Sequence, residues 1–596
     1  MKKLLIILFF MMISASQVSN ADKTEDWLTY YENSGFKETP RFDATIEYCD
    51  KLAKSSKYIK FSDFGISPQG RKLPLLIVDK KKKFKPVDLE KRKRPVILIQ
   101  ACIHPGESDG KDAGLMLIRD IVIHKMQIDL LDDVVILFIP IFGVDGHERF
   151  SAYNRINQNG PKEMGWRVTS QNLNLNRDFL KADSPEMRGW LKMFTEWLPD
   201  FLVDCHVTDG LDHQYAVAYL VANRQNMVEP VRDWLNDYYI PILTDRMKES
   251  EFPIIPYGGF SDRADLTKGM MTWLASPRFS HGYGAIQNRP FLLVETHMLK
   301  DYKTRVDGTY QLLMHTLEMV RDQSEQYLEI LREGDKMTSD MAGQDYSLRY
   351  QISHDTMTTI EYLGYEAEVV PSDISGGDWI RWDNRKPVTY QVPHMKVAVP
   401  TVTIKMPYAY IIPPEWLEQI EILKLHGVEI KRLNQDSSIP VESYRFTEFS
   451  WQEHPYEGRH PVEFSVENIK ENRLYPKGSV VVLCNQRTNR VLAQILEPQG
   501  YDSFVSWGFF DGIFEQKEYA EDYVMEKLAR EMMSKDSGLK EEFEEKLLAD
   551  SAFAASPFER LNFFYKHSPY WDDKISIYPV GKITKPQLIE QILEDH

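Results

Sequence analysis

Two almost wholly apolar runs, at residues 94–103 and 133–142, most constrain the fold of this chain. The first begins RPVILIQACI and the second reads DVVILFIPIF. A strand without polar alternation is buried on both faces, as in a sheet covered by helices. Between them, residues 110–125 carry apolar side chains at the 3.6-residue spacing of a helix. This alternation predicts the α/β class, with helices on both sides of the sheet.

The same rhythm continues on either side of these runs. Residues 61–79 read as two strands joined at a turn, and further strands are expected at 201–206 and 291–295. Helices are expected at 185–197, 227–250 and 306–337. Residues 143–180 interrupt the pattern with a long polar, asparagine-rich stretch. Long aperiodic loops in compact domains are usually functional or disordered, and the aromatic content here favours an ordered one.

The character of the chain changes near residue 340. Short strand-like segments at 366–370, 388–392, 397–405, 442–451 and 479–484 are separated by Gly, Pro and Asn. A helix at 414–426 interrupts them, and a helical tail is expected at 518–534 and 538–550. We therefore predict a first domain over residues 22–340 and a second, β-rich α+β domain of unknown role over 341–596.

Composition excludes one class of partner. The chain has 596 residues and a formal net charge of −17, whereas nucleic-acid-binding domains carry a basic face. The basic stretch at 80–94 is interpreted as a solvated loop rather than a polyanion site. The four cysteines are too few for a disulfide scaffold, and Cys102 and Cys205 lie within predicted core strands.

Residues 1–21 have the organisation of a secretory signal peptide. Lys2 and Lys3 precede a short apolar stretch at 4–13, and small residues at 19–21 suit cleavage after Ala21. The apolar stretch is too short to span a bilayer, and no later segment predicts a spanning helix. The sequence thus predicts a secreted or periplasmic protein.

Polar residues that can bind a metal ion terminate several predicted strands. His104 and Glu107 lie three positions apart in a tight turn after the first apolar run, and His206 ends the strand at 201–206. Glu295 ends another strand. In open α/β sheets, ligands bind beyond the carboxyl ends of the strands. Catalytic zinc takes three nitrogen or oxygen ligands from the protein, and His104, Glu107 and His206 are the candidates.

Four motifs in order carry a resemblance to a known family. They are HPGE at 104–107, NLNLNRDF at 172–179, DCH at 204–206 and LLVET at 292–296. With them, the chain resembles the zinc carboxypeptidase family of the carboxypeptidase A type over about residues 39–332. The resemblance implies a mixed sheet flanked by helices. It also implies one Zn²⁺ per chain, bound by His104, Glu107 and His206.

The resemblance also implies roles for other residues. Glu295 would be the general base that takes a proton from the attacking water and later passes it to the leaving amine. Asn176 and Arg177 would dock the free C-terminal carboxylate of a peptide substrate, for which a planar guanidinium is well suited. Arg167 is the first candidate for polarising the scissile carbonyl, and Arg155 is the second.

Tyr283 is the candidate for a tyrosine that closes over substrate. Together these assignments predict a zinc metallocarboxypeptidase that acts on the C-terminal peptide bond. One alternative is a zinc amidase of murein peptides or N-acyl amino acids, and another is a non-catalytic protein that binds peptide or glycan. The preferred C-terminal residue and the oligomeric state stay open.

Overall fold

The computed structural model describes residues 27–594, so the predicted signal sequence lies outside the described residues. The strands are β1 Ile59–Ile66, β2 Lys72–Val78, β3 Val96–Ala101, β4 Val135–Ile139, β5 Phe201–Thr208, β6 Val217–Leu220, β7 Ile254–Pro256, β8 Gly258–Phe260, β9 Met270–Thr272, β10 Phe291–His297, β11 Asp345–Ile352, β12 Thr358–Pro371, β13 Asp378–Met395, β14 Ala398–Lys405, β15 Ala409–Ile412, β16 Lys431–Arg432, β17 Ser437–Trp451, β18 Val462–Tyr475, β19 Val480–Leu483 and β20 Gly581–Ile583.

The helices are α1 Tyr30–Asn33, α2 Phe42–Ser55, α3 Asp109–Val122, α4 Leu130–Asp133, α5 Val144–Glu148, α6 Pro185–Trp197, α7 Glu229–Asp233, α8 Ile240–Glu249, α9 Ser280–Ile286, α10 Tyr302–Asp322, α11 Ser324–Ser339, α12 Leu417–Leu425, α13 Asn489–Leu496, α14 Asp522–Lys535, α15 Ser537–Ala549, α16 Ser551–Ala555, α17 Pro557–Lys566 and α18 Pro586–Glu594. None of the helices described within residues 27–594 has the length and apolar character needed to cross a bilayer.

An eight-stranded sheet organises the first half of the chain. Its strand order is β1-β2-β4-β3-β5-β10-β6-β7. The central strands β4, β3, β5 and β10 are parallel. Strands β1 and β2 pair antiparallel with their neighbours, and β6 is antiparallel to β10 but parallel to β7. The predicted α/β class with a mixed sheet is therefore confirmed.

Strand register brings the predicted site residues together. In the β5–β10 ladder, His206 pairs with Glu295, and in the β3–β5 ladder Ala101 pairs with Cys205. Strand β3 therefore ends one position before the level of His206, and the turn after it starts beside His206. Because β3, β5 and β10 are parallel neighbours, their carboxyl ends meet at one edge of the sheet.

The two faces of the sheet are covered by different elements. Successive residues of a strand point to opposite faces. Ile97 belongs to the buried core that includes residues of helices α3 and α10, while Leu98 belongs to the core that includes residues of α6 and α9. The core that contains Leu98 also includes buried residues from beyond position 400, such as Tyr410 and Val482. The region after residue 340 thus covers part of one face of the sheet.

That region is β-rich, as predicted, and is joined to the first half by strand pairing. It contains a six-stranded sheet in the order β16-β19-β15-β20-β17-β18 and the antiparallel pair β11–β14. The ribbon β12–β13 adds β8 and β9 to make a four-stranded sheet across residue 340. The boundary at residue 340 stays a prediction.

Several element bounds differ from those predicted. The expected helix at 306–337 is two helices, α10 and α11, which are separated at Gln323. The expected helix at 227–250 is α7 and α8 joined by a π-helical segment, Trp234–Tyr239. Strand β18 was not predicted from the sequence. Many of its residues are polar and face solvent, so its apolar residues do not form a clear alternating pattern.

Candidate metal centre and catalytic cleft

The backbone of the turn after β3 brings the side chains of His104 and Glu107 close together. The backbone of Cys102 has φ 56°, which is uncommon for a residue with a side chain, and Glu107 N donates to His104 O at 2.9 Å. A Cβ atom at Gly106 would lie 2.6 Å from Gly165 O. A residue with any side chain would therefore displace the neighbouring loop.

His104, Glu107 and His206 converge in this turn. His104 Nδ1 lies 3.1 Å from Glu107 Oε1, and His206 Nδ1 lies 3.1 Å from Glu107 Oε2. The two Nδ1 atoms are 3.2 Å apart. One candidate ligand atom from each residue lies within 4.8 Å of the other two. Two imidazole nitrogens and a carboxylate oxygen are a donor set that fits zinc.

Neighbouring groups orient both imidazoles. His206 Nε2 lies 2.9 Å from Asp204 Oδ2, and His104 Nε2 lies 3.0 Å from Asn174 Oδ1. An acceptor on Nε2 holds the proton there and leaves the Nδ1 lone pair for a metal. Glu107 is oriented as well, since Val207 N donates to its Oε2 at 3.0 Å.

Electrostatics differ among the three ligands. Burial lowers the pKa of His104 to about 4. Burial raises the pKa of Glu107, but the neighbouring His104 and Arg155 outweigh it and hold that pKa well below its usual range. Burial lowers the pKa of His206, yet the Asp204 carboxylate raises it well above its usual range. His206 must therefore release a proton when a metal binds.

Glu295 lies in the same cleft, beside His206 in the ladder. Burial raises its pKa to about 8, against the lowering effect of His206. Its Oε2 is buried and has no hydrogen-bond partner among the described residues. A carboxyl group with this pKa can both accept and release a proton near neutral pH.

Two arginines from the loop after α5 face the metal centre. Arg155 Nη2 donates to Glu107 Oε1 at 2.7 Å, and Arg167 Nη1 lies 3.5 Å from the same oxygen. The Arg155 side chain is 14% exposed and that of Arg167 is 45% exposed. Arg167 is therefore the more accessible of the two from the open cleft.

Asn176 and Arg177 belong to a short 3₁₀ turn, Leu175–Arg177. Asn176 Oδ1 accepts from Ser280 N at 3.0 Å, and the Arg177 guanidinium lies over the Phe279 ring at 4.2 Å. Both residues line the cleft. Burial lowers the pKa of Arg177, although its hydroxyl neighbour Tyr456 opposes that shift.

Tyr283 lies away from the cleft, in contrast to the other predicted site residues. Its side chain is 0% exposed, and its hydroxyl group contacts His426 Nδ1 at 2.9 Å and Gln287 Nε2 at 2.7 Å. The ring packs against the aromatic side chains of α6. Its expected role over substrate is therefore corrected: helix α9 turns this tyrosine into the core.

Other residues of the cleft were not predicted. The cleft encloses about 410 Å³, and Asp209, Tyr257 and Trp273 line both it and an adjoining side pocket of about 260 Å³. The pocket is otherwise lined largely by apolar and aromatic residues, including Leu211, Ala218, Ile255, Met270 and Tyr362. No local motif marks these positions, because they come from separate strands and loops and from the ribbon β12–β13 after residue 340.

The chain is similar in sequence to known carboxypeptidases. A family model described as zinc carboxypeptidase matches residues 45–361, more than half of the chain. Carboxypeptidase 2 of Trichophyton rubrum is 21% identical over 489 residues, which cover 79% of this chain and 84% of that protein. Carboxypeptidase 2 of Trichophyton tonsurans is 22% identical over 495 residues, with the same coverage of 79% and 84%.

Among solved structures, a metallo-carboxypeptidase from Burkholderia cenocepacia is 15% identical and has a TM-score of 0.36. The match covers 47% of this chain and 70% of that one. From the family match, which spans the metal centre and Glu295, the chain belongs to the zinc carboxypeptidase family of peptide hydrolases.

Proposed function

We propose that this chain is a secreted or periplasmic zinc-dependent carboxypeptidase that hydrolyses the C-terminal peptide bond of peptides. The observation that carries the proposal is the convergence of His104, Glu107 and His206 in one cleft with Glu295 and Arg177. The signal-like residues 1–21 support the location.

His104, Glu107 and His206 would hold one zinc ion per chain. When bound, zinc lowers the pKa of a water molecule and polarises a carbonyl group. Asp204 and Asn174 keep the two histidines in the tautomer that leaves Nδ1 available. The buried contacts of this set support metal binding rather than a surface ion pair.

Glu295 accepts a proton from the attacking water and then delivers it to the leaving amine. Its raised pKa, caused mainly by burial, supports this double role. The unpartnered Oε2 atom leaves the carboxyl group available for that exchange.

Arg177 and Asn176 bind the carboxylate at the substrate's C-terminus, which selects for exopeptidase cleavage. A guanidinium can bind a carboxylate through two parallel hydrogen bonds. Arg167, the more exposed arginine near Glu107, polarises the scissile carbonyl, and Arg155 orients substrate and Glu107 together.

The side pocket receives the side chain of the residue that is removed. It shares Asp209, Tyr257 and Trp273 with the cleft, and its Leu211, Ile255 and Met270 suit an apolar or aromatic side chain. Apolar C-terminal residues are therefore expected to be removed fastest.

The test uses purified full-length protein. Zinc content is measured by elemental analysis, and a peptide library with free or amidated C-termini is followed by mass spectrometry. We expect one zinc per chain and loss of single residues from free-acid peptides only. Cleavage of amidated peptides would contradict the role of Arg177. Turnover confined to murein peptides or N-acyl amino acids would establish the amidase alternative instead.

A further inference from the structure

We propose that the tip of the β17–β18 hairpin, from the region after residue 340, completes the active site by positioning Arg177. Two residues of this hairpin tip, Tyr456 and Glu457, are positioning residues that act through the segment carrying Arg177. This inference rests on the proposed role of Arg177 in binding the substrate carboxylate. It assigns to the second region a function in the reaction itself.

The hairpin tip is a tight turn with an unusual residue in it. Tyr456 and Arg459 exchange backbone hydrogen bonds of 2.8 and 3.1 Å. The two residues between them, Glu457 and Gly458, have φ values of 51° and 77°. Both central residues of such a turn need positive φ, which suits Gly or Asn better than Glu. A strained residue of this kind suggests that its side chain has a use.

The side chains of the turn contact the segment that carries Arg177. Arg177 Nε donates to the Tyr456 hydroxyl at 3.2 Å, and Glu457 Oε2 accepts from Asn174 N at 2.8 Å. Asn174 in turn accepts from Asn176 N at 2.9 Å and contacts His104 Nε2. The hairpin therefore touches both ends of the short turn between the metal centre and the carboxylate site.

The protein contacts of the Arg177 guanidinium use two of its three nitrogens. Nε is engaged by Tyr456, and Nη1 donates to Asn176 O at 2.7 Å. The face of the group lies against Phe279. Among the described residues, no hydrogen bond joins Nη2 to the protein. Arg177 lines the cleft, so Tyr456 holds a guanidinium whose Nη2 is left for a ligand.

The hairpin tip is itself held firmly on the first half of the chain. Arg459 forms two hydrogen bonds with Asp183, at 2.7 and 2.8 Å. The Tyr456 ring stacks on Trp507 with an interplanar angle of 10°, and Arg278 lies over the Trp507 ring at 4.7 Å. Because the anchor is fixed, an ordered Arg177 loses less conformational freedom when it binds substrate.

The test compares full-length wild type with Tyr456→Phe and Glu457→Ala, using a free-acid peptide and its amide. Tyr570→Phe is the matched control, since Tyr570 is 70% exposed in the helical tail. Loss of one hydrogen bond to a charged group should raise KM for the free-acid peptide about three- to thirtyfold. Its kcat and the zinc content should stay within twofold of wild type, because ground state and transition state lose the same contact.

The outcomes separate the two proposals. If wild type does not cleave free-acid peptides, the proposed function fails whatever the hairpin does. If wild type is active and both variants keep the KM of Tyr570→Phe, the hairpin inference is overturned. If Tyr456→Phe does not fold, the KM of Glu457→Ala decides. A fall in kcat with unchanged KM would also overturn the inference, because it would place the effect on the chemical step.

Discussion

The metal centre and the carboxylate site of this cleft are built in different ways. The ligands and Glu295 stand at the ends of three adjacent strands, where parallel register sets their relative positions. Arg177 stands on a short 3₁₀ turn in a long loop, and its orientation depends on Phe279 and on Tyr456 from the second region. The backbone of the sheet positions the metal centre, whereas side chains from distant segments position the carboxylate site.

The metal centre and the carboxylate site should respond differently to amino-acid substitutions. The backbone position of a residue at the end of a buried strand is set by the ladder and persists when distant side chains change. A group held by side chains from another region is sensitive to single changes far away in the chain. Substitutions in the two parts should therefore affect different kinetic quantities.

Glu295→Gln should cause the largest loss. The amide keeps the shape of the side chain but cannot accept a proton, so kcat should fall by about 10²–10⁴-fold with zinc retained. Stopped assays with a free-acid peptide and elemental analysis measure the two quantities. Glu249→Gln, an exposed change on α8, is the control. Near-normal turnover of Glu295→Gln would remove Glu295 from the mechanism.

Asp204→Asn tests whether strand pairing alone keeps the candidate zinc ligands in the geometry that binds the metal. The change removes the charged acceptor of His206 Nε2 without altering the strand. Zinc affinity should fall by about 10- to 100-fold, because the orienting partner of a metal-binding histidine is lost. Competition with a chelator measures the affinity. Equal affinity in variant and wild type would show that the ladder suffices without the carboxylate.

Arg177→Lys should act on the other part of the cleft. Lysine keeps the charge but loses both the Nε contact with Tyr456 and the paired geometry for a carboxylate. We expect kcat/KM for free-acid peptides to fall by about 10- to 100-fold, mostly through KM. Zinc content should not change. A loss of zinc would mean that the two parts of the cleft are not independent.

Glu186→Gln, away from the metal centre and from Arg177, should give the smallest effect. Glu186 is buried in the first turn of α6, and burial raises its pKa to about 7. The folded state then binds a proton more tightly than the unfolded state, so stability from this group is lost as pH rises from about 4.5 to 7.

Glu186→Gln has no titrating carboxyl group at this position, so it does not lose this stability as the pH rises. Its Tm relative to that of wild type should therefore rise between pH 5 and pH 8. Thermal unfolding at several pH values measures this difference. Glu196→Gln, exposed on the same helix, should show no such trend. A constant difference between Glu186→Gln and wild type across this range would contradict the assignment.

Much of the first half of the chain could be predicted from its sequence. The buried strands produce continuous apolar runs, and helix α6 was placed at its observed bounds because a Ser-Pro start and an apolar period mark it. The convergence of the candidate ligands His104, Glu107 and His206 was predictable because they lie at or just after the ends of those strands. Tyr283 was misplaced because sequence spacing does not reveal which way a short helix turns.

The sequence by itself determined the fold class of the first half, the candidate metal ligands and the family, since each depends on short motifs and strand ends. Only the tertiary structure decided which side chains surround Arg177 and the side pocket. Asn174 and Glu457 are joined by a hydrogen bond, although they come from different regions. Contacts of this kind depend on how two separately patterned regions pack, and no local pattern encodes that packing.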